Sequence, residues 1–242
     1  MKAEIENKVT EIIDNTFEVE ECYKIPDIED TRLTFGNKGL KFEATTLYID
    51  IRGSTKTLNK HNRTSVAKLH ISYFHTIVKI AKSMGGEVRS FNGDGILVFF
   101  HGTTKRSLSD AVKAAMQMKY MLTESKVHTK MGQYSSANFG IGIDHGTILC
   151  TKVGITGTNN RDLVWVGNPV NKSVKVGDKL ESPSHIGISS STYENLLDDV
   201  KYHKYKDALE IERTVDMWNE GWFEYNDKTF KYYYTNYYWT VS

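Results

Sequence analysis

The sequence has few cysteines and no long apolar run, and both absences limit the class of protein. Cys22 and Cys150 are the only cysteines among 242 residues, which is too few for a disulfide framework and typical of a cytoplasmic protein. Residues 1–8 contain no apolar core of a signal peptide. No stretch approaches the ~18 apolar residues that a membrane helix needs. We therefore expect a cytoplasmic chain without a membrane partner.

The sequence also lacks an excess of charge of either sign. It has 31 basic and 30 acidic residues, a net charge of +1. Proteins that bind nucleic acid or anionic membranes usually do so through strongly basic surfaces. The composition therefore predicts neither nucleic acid nor a membrane as a partner.

The pattern of apolar residues and turn residues predicts an α+β domain with an extension at each end. The core elements are, in chain order, a strand over 42–51, a helix over 57–83, strands over 86–91 and 96–100, a helix over 105–125, and two strands within 137–153. The last two strands would meet at His145-Gly146, which makes His145 a turn residue rather than a ligand. This β-α-β-β-α-β order predicts a ferredoxin-like fold, with helices on an antiparallel sheet.

The extensions have their own patterns. Helical spacing of apolar residues over 3–17 predicts an amphipathic helix that serves as a packing element. The segment from Trp218 to Trp239 is dense in aromatics, and its alternation predicts a hairpin around Asn226-Asp227. We therefore divide the chain into residues 1–40, a core domain over 41–205, and an aromatic extension over 206–242 that packs on it.

Asp50 is the first candidate site residue. It ends a run of apolar and β-branched residues, 44–49, that is typical of a buried strand. A carboxylate there is unfavourable to bury unless a cation meets it. Gly53, Ser54 and Thr55 follow and predict the start of a helix, whose free N–H groups can hold an anion. The alternative, an ordinary Ser/Thr N-cap, is compatible with anion binding.

Asp94 is the second candidate, in the segment Asn92-Gly93-Asp94-Gly95. Asn-Gly and Asp-Gly are common hairpin dipeptides, so a plain turn is the alternative interpretation. The predicted helix between Asp50 and Asp94 is long enough for a crossover that places their strands side by side. We therefore predict that the two carboxylates converge where they can share metal ions.

A third candidate group follows residue 167. Asn168 and Pro169 predict the N-cap and the first turn of a helix. Asn171 and Lys175 are four residues apart and therefore share a face of that helix. An amide beside an ammonium can hold a ribose and a developing phosphate charge. A solvated helix face is the alternative interpretation, because such pairs are common on protein surfaces.

Four motifs resemble, in order and spacing, those of the class III nucleotidyl cyclases. They are Asp50-Ile51-Arg52-Gly53, Gly85-Gly86-Glu87-Val88 leading into Gly93-Asp94-Gly95, Gly140-Ile141-Gly142-Ile143-Asp144-His145-Gly146, and Gly167-Asn168-Pro169-Val170-Asn171. The resemblance covers about residues 41–200. It implies a catalytic domain that works as a head-to-tail homodimer with two sites at the interface.

The resemblance also implies a reaction and residue roles. Asp50, the Ile51 carbonyl and Asp94 of one subunit would hold two divalent metal ions, Mg²⁺ or Mn²⁺. Asn171 and Lys175 would come from the other subunit and act in catalysis. The ribose 3′-hydroxyl of a nucleoside triphosphate would attack its own α-phosphorus and release pyrophosphate.

The triphosphate itself would meet the loop after Asp50. The resemblance implies that backbone N–H groups from Ile51 to Thr55, which include those of Arg52, Gly53 and Ser54, cradle the β- and γ-phosphates. These residues are therefore predicted to bind substrate.

Some positions depart from the family pattern. Lys175 stands where an arginine is usual, so it keeps the charge but loses the bidentate fork. Ser54 replaces a common phenylalanine. Ser90 and Val164 stand where members that use ATP carry purine-reading side chains. Ser90 and the neighbouring Trp165 are therefore predicted to leave room for a smaller base.

This pattern, together with the aromatic tail, resembles the pyrimidine (uridylate or cytidylate) cyclases of the bacterial Pycsar anti-phage systems. The resemblance implies that infection triggers the synthesis of cyclic UMP or cyclic CMP from UTP or CTP. It also implies that this product acts on a separate effector protein.

Three alternatives stay open at this point. An adenylate cyclase that makes cyclic AMP differs only in the base. A catalytically inactive nucleotide-binding homologue is suggested by Lys175. A binder of single-stranded nucleic acid could stack bases on the aromatic tail, but such proteins have a positively charged groove. We expect the tail to serve packing or a dimer contact instead.

Overall fold

The helices and strands follow the predicted β-α-β-β-α-β order at the centre of the chain. The computed structural model describes residues 1–53, 62–134, 138–155, 157 and 159–241. Among these residues, the helices are α1 (Lys2–Asp14), α2 (Arg63–Ser83), α3 (Lys105–Thr123), α4 (Lys126–Met131), α5 (Asn168–Asp178), α6 (Ser190–Glu194) and α7 (Asp198–Lys201).

The strands of the same described ranges fall into two sheets. They are β1 (Glu18–Glu21), β2 (Lys38–Ile51), β3 (Gly86–Asn92), β4 (Gly95–His101), β5 (Phe139–Gly154), β6 (Arg161–Val166), β7 (Ile186–Ser189), β8 (Tyr202–Lys206), β9 (Glu212–Asp216), β10 (Asn219–Tyr225) and β11 (Lys228–Thr235). The main sheet has the order β10-β11-β7-β5-β2-β4-β3, with β1 beside β2 and β6 beside β5. Strands β8 and β9 form a separate pair.

The central strands confirm the ferredoxin-like fold. The order β5-β2-β4-β3 is that of a βαββαβ unit, with β2 antiparallel to both β4 and β5. One detail of the crossover prediction is wrong. The strand beside β2 is β4, which follows Asp94, and β3 lies one strand further out because β4 inserts between them.

Strand β5 differs from the prediction. Residues 139–154 form one long strand, and not two strands that turn at His145-Gly146. The ladder with β2 runs without a break from Ile51↔Phe139 to Gly39↔Thr151, so a turn would leave backbone groups unpaired. Gly146 has a φ of +144°, and the strand accommodates this conformation because glycine has no Cβ.

The side chains of β2 alternate between two layers of core. Leu47 and Ile49 pack in the larger cluster with α2 and α3. Phe42 and Tyr48 face the other way, towards a second cluster that includes buried residues of the segment 22–33. Asp50 follows Tyr48 by two residues and therefore points to this second side, which we call the site face.

Helix α5 packs on the site face in direct contact with backbone. Gly140 of β5 pairs with Asp50 across the ladder, and Gly142 lies two residues further along β5. A Cβ at Gly140 would overlap the carbonyl oxygen of Gly177, and one at Gly142 would overlap that of Ser173. Both positions therefore require glycine for α5 to approach this closely.

The C-terminal residues form the predicted hairpin. Strands β10 and β11 join at Asn226-Asp227, whose φ values of +50° and +56° are those of a primed two-residue turn. Strand β11 pairs with β7, so the hairpin extends the main sheet instead of forming a separate layer. The division of the chain at residues 40 and 205 stays a prediction.

The N-terminal helix forms, but its predicted packing is wrong. Helix α1 ends at Asp14 and has no buried residue. Its apolar residues are exposed, from 43% for Ile12 to 76% for Ile13, because the described remainder of the chain does not cover them. No helix in the described part of the chain combines the length and apolar character needed to cross a membrane.

Substitution of Gly142 by alanine should strongly destabilise the fold. The added Cβ would force α5 away from β5, and overpacking of this kind reduces the free energy of unfolding by about 1–3 kcal/mol or more. Urea denaturation measures the loss. Gly132→Ala is the matched control, because its φ of −59° suits alanine and its Cβ would make one tight contact, 3.1 Å from the His128 oxygen, in place of the outright overlap with the Ser173 oxygen at Gly142. Equal stability of the two variants would contradict the proposed close contact.

Candidate active site

Two acidic side chains come together at the end of β2. Asp50 is the penultimate residue of β2, and Asp94 lies in the turn between β3 and β4. The pairing of Ile49 with Ile96 places this turn at the same end of the sheet. Burial, followed by the negative charge of Asp94, raises the pKa of Asp50 to about 6, although Arg52 acts in the opposite direction. The two carboxylates are therefore close enough to repel each other.

Two tyrosines beside these carboxylates were missed in the sequence. The Tyr48 hydroxyl lies against Gly95, where any Cβ would overlap it. Burial, then the charge of Asp50, raises the pKa of Tyr48 to about 12. The buried Tyr73 hydroxyl of α2 has no hydrogen-bond partner within the described ranges, and burial and both aspartate charges raise its pKa. Both phenols stay protonated at neutral pH. Tyr48 was detectable, because it precedes Asp50 by two residues on a strand.

Arg52 serves the protein's own structure. Its guanidinium donates to the carbonyl oxygen of Gly177 at 2.5 Å and to Asp178 at 3.2 Å, and it lies 3.9 Å from Asp50. Its backbone N–H donates to the carbonyl oxygen of Asn138 at 2.7 Å. The predicted phosphate cradle is therefore wrong at this N–H, because a strand neighbour already occupies it.

The rest of the predicted cradle is only partly described. Gly53 has a φ of +74°, which favours glycine, and a Cβ there would meet open space. Ser54 and Thr55 lie outside the described residues. Phosphate binding by Gly53 and by these two residues stays a prediction.

Asn171 and Lys175 lie on the exposed face of α5, as their spacing predicts. The helix begins one residue earlier than predicted, because Gly167 is the N-cap and Asn168 is already helical. The Asn168 side chain is not a cap, since its Oδ1 accepts a hydrogen bond from the Tyr225 hydroxyl at 3.0 Å. The last turn of α5, and not its first, neighbours Asp50.

The predicted base-contacting residues do not form one cluster. Ser90 pairs with Leu97 and so lies on the site face, where its hydroxyl donates to Asn92 Oδ1 at 3.0 Å. Trp165 packs its ring 4.8 Å from that of Phe99, inside the second core cluster. Val164 points to the opposite side of β6, so Val164 and Trp165 cannot line the same pocket.

The aromatic hairpin holds α5 from outside. Phe223 and Tyr232 pack with Val176 and Leu180 in a small buried cluster. In the first half of the helix, the Lys172 ammonium lies 4.5 Å from the centre of the Phe230 ring. Helix α5 is therefore fixed between β5 and the hairpin, and its outer face stays exposed.

A buried polar network fixes the strand that carries the glycines. The Asp144 carboxylate accepts a hydrogen bond from Ser189 at 2.5 Å, and burial raises its pKa although that bond lowers it. His145 lies within the strand, and its Nδ1 is 3.0 Å from the Thr192 hydroxyl. Both residues therefore join β5 to β7 and α6 and serve a structural role.

The match to a known family extends over most of the chain. Residues 39–225 match the model of the adenylate and guanylate cyclase catalytic domain. This chain belongs to that family. The match begins at the second residue of β2 and ends with the last residue of β10. The matched region thus includes the first strand of the hairpin.

Individual relatives support the family and the fold. The chain is 28% identical to a uridylate cyclase of Xanthomonas perforans over 100% of this chain and 99% of that protein. It is 31% identical to a uridylate cyclase of Gulbenkiania mobilis over 84% and 83% of the two chains. The crystal structure of the guanylyl cyclase Cya2 superposes with a TM-score of 0.65 at 23% identity, over 81% of this chain and 92% of that one.

Replacement of Asp50 by asparagine should stabilise this cyclase domain when divalent ions are chelated. The folded pKa of about 6 exceeds the ordinary 3.8, so ionised Asp50 destabilises the folded state above pH 6, and this penalty disappears below about pH 4. We expect Asp50→Asn to raise the free energy of unfolding by on the order of 2 kcal/mol at pH 8 and by less than about 1 kcal/mol at pH 4.

Urea denaturation at the two pH values, in the presence of a chelator, measures this difference. Asp198→Asn, at the exposed first turn of α7, is the control. A stabilisation by Asp50→Asn that is as large at pH 4 as at pH 8 would show that charge is not its cause.

Proposed function

We propose that this cyclase converts a pyrimidine nucleoside triphosphate, UTP or CTP, into its 3′,5′-cyclic monophosphate and pyrophosphate. The observation that carries the proposal is the convergence of Asp50 and Asp94, with the pKa of Asp50 raised to about 6. Half-buried like charges of this kind mark sites that are built for a cation. Membership of the cyclase family supports the reaction, and the relatives named uridylate cyclase support the base.

The residues at the end of β2 fit divalent metal ions. Asp50 and Asp94 offer carboxylate oxygens and Ile51 a backbone carbonyl, which are hard ligands that Mg²⁺ and Mn²⁺ prefer. The nearby Arg52 leaves part of this charge uncompensated, because it is shared with Asp178. Two bound ions would lower the pKa of the ribose 3′-hydroxyl and neutralise the triphosphate and the departing pyrophosphate.

The neighbouring side chains would hold these ligands in position before the nucleotide binds. Arg52 joins the end of β2 to the last turn of α5 and so limits the movement of Asp50. Tyr48 lies beneath the turn that carries Asp94 and stays neutral. Ligands fixed in this way need little reorganisation during the reaction.

We propose that a second subunit completes each site. Gly177 contacts the Arg52 guanidinium beside Asp50, whereas Asn171 is six residues earlier, about 9 Å along the helix axis. Asn171 and Lys175 are exposed and face away from β5. A head-to-tail homodimer would bring these two side chains to the partner's carboxylates and form two equivalent sites.

In that dimer Asn171 would orient the ribose and Lys175 would meet the phosphates. The amide of Asn171 can donate to one ribose oxygen and accept from the other hydroxyl. Lys175 carries a single ammonium, which would stabilise the negative charge that develops on the phosphate. It cannot make the bidentate contact of an arginine. No nucleophile of the protein is needed, since the attacking oxygen belongs to the substrate.

The preference for a small base rests on Ser90, which lies on the site face, and not on Val164, which points to the opposite side of β6 from Trp165. Neither side chain carries a charge that could read a purine. The Ser90 hydroxyl and the Asn92 amide lie 3.0 Å apart on the site face, and both can donate or accept. Such groups suit the edge of uracil or of cytosine. We further propose, from the resemblance to the Pycsar cyclases, that the cyclic product activates a separate effector protein during anti-phage defence.

Competition among the four triphosphates tests the function. Purified protein with equimolar UTP, CTP, ATP and GTP and Mn²⁺ should yield cyclic UMP or cyclic CMP in at least about tenfold excess, as measured by mass spectrometry. Asp94→Asn should lower turnover more than about a hundredfold, because even outer neighbours of metal ligands are worth 10–100-fold. Asp198→Asn, at the exposed first turn of α7, should keep full activity. Mainly cyclic AMP would indicate an adenylate cyclase, and no product an inactive homologue.

Mixing two inactive variants tests the shared sites. Asp50→Ala and Asn171→Ala should each abolish turnover, whereas an equal mixture should regain roughly a quarter of wild-type activity. Half of the dimers would be mixed, and each mixed dimer has one intact site. Protein that carries both substitutions in one chain, mixed with Asp50→Ala, should stay inactive. A mixture that forms mixed dimers but no product would exclude the interface site.

A further inference from the structure

A cavity of about 690 Å³ opens between α2 and α4. Both helices lie on the side of the sheet that packs with Leu47 and Ile49, whereas Asp50 lies on the site face. The cavity is therefore separate from the candidate active site. Its volume is within the range of small-molecule sites, about 300–1,000 Å³.

The interior of the cavity is apolar. Leu69 and Met131 form buried parts of its wall, and Val127 of α4 is half-buried beside them. Ile71 lies at the mouth with 68% of its surface exposed. A large aliphatic side chain that is open to solvent beside an apolar cavity favours a ligand with an apolar body.

Positive charge surrounds this apolar interior. Lys68, Lys126 and Lys130 line the cavity, together with His75. Neither wall supplies a carboxylate, since α2 has no Asp or Glu in 21 residues and α4 none in 6. Within the described ranges, none of the three lysines forms an ion pair. The whole chain has a net charge of only +1, so this concentration of cations is local.

We propose that the cavity binds a small amphipathic monocarboxylate, with an unbranched apolar chain inside and its carboxylate at the lysines of the mouth. Lysine stems cover apolar surface while their ammonium groups stay in water, which suits a head group at the entrance. A nucleotide would fit poorly, because its sugar and base would lose hydrogen bonds with water against the apolar wall. This binding requires neither Asp50 nor Asp94 and is therefore independent of the proposed reaction.

Calorimetric titration of the full chain with dodecanoate, below its micelle concentration, tests the proposal. We expect saturable binding at one site per chain. Lys126→Glu combined with Lys130→Glu should weaken the binding at least about tenfold, because two attractions become repulsions. Lys24→Glu with Lys204→Glu, two exposed positions outside the helices that form the cavity, changes the net charge equally and should leave the affinity unchanged.

Two further titrations distinguish this site from other uses of the cavity. Dodecyltrimethylammonium has the same chain with a cationic head and should not bind there, and Ile71→Glu should abolish dodecanoate binding without loss of the folded state by circular dichroism. Absence of saturable binding, equal binding of the cationic detergent, or equal loss in the control pair would overturn the proposal. Dimers that dissociate on Ile71→Glu would show instead that a second copy of the chain fills the cavity.

Discussion

The contact of α5 with the glycines of β5 is the constraint on which the site depends. Gly140 and Gly142 let the helix lie directly on backbone beside β2. That position brings the Gly177 carbonyl and Asp178 to Arg52, which in turn lies beside Asp50. Burial disfavours the ionised form of Asp50. Arg52 nevertheless holds this carboxylate in position, because the end of α5 fixes the arginine. The strand tolerates this local cost because it is paired on both sides.

Much of the fold could be predicted from the sequence, because its signals are local. The alternation in 42–51, the apolar spacing in 105–125 and the dipeptide Asn226-Asp227 each predict an element that forms near those bounds. The two aspartates were also recognisable. Asp50 stands at the end of an apolar strand and Asp94 in a glycine-rich hairpin turn, and the crossover helix between them brings that turn to the same end of the sheet.

Other features depend on contacts between distant residues and leave no local signal. The dipeptide His145-Gly146 is typical of a turn, yet the long ladder with β2 keeps both residues in a strand. Asn168 suits an N-cap, but its side chain accepts a hydrogen bond from Tyr225 of the distant hairpin instead. From the sequence, the backbone N–H of Arg52 could bind a phosphate. In the structure it donates to the carbonyl oxygen of Asn138 instead. The apolar stripe of α1 predicts burial, although no partner surface exists for it in the described chain.

The position of the hairpin β10–β11 late in the chain affects when α5 can take up its final position. It follows α5 in the chain, yet it packs on that helix and extends the same sheet. Ribosomes release a polypeptide from its N-terminus, and early segments fold first. A nascent chain can therefore assemble its βαββαβ centre while α5 still lacks its outer support. The site therefore reaches its final geometry only after the hairpin has been synthesised and has packed on α5.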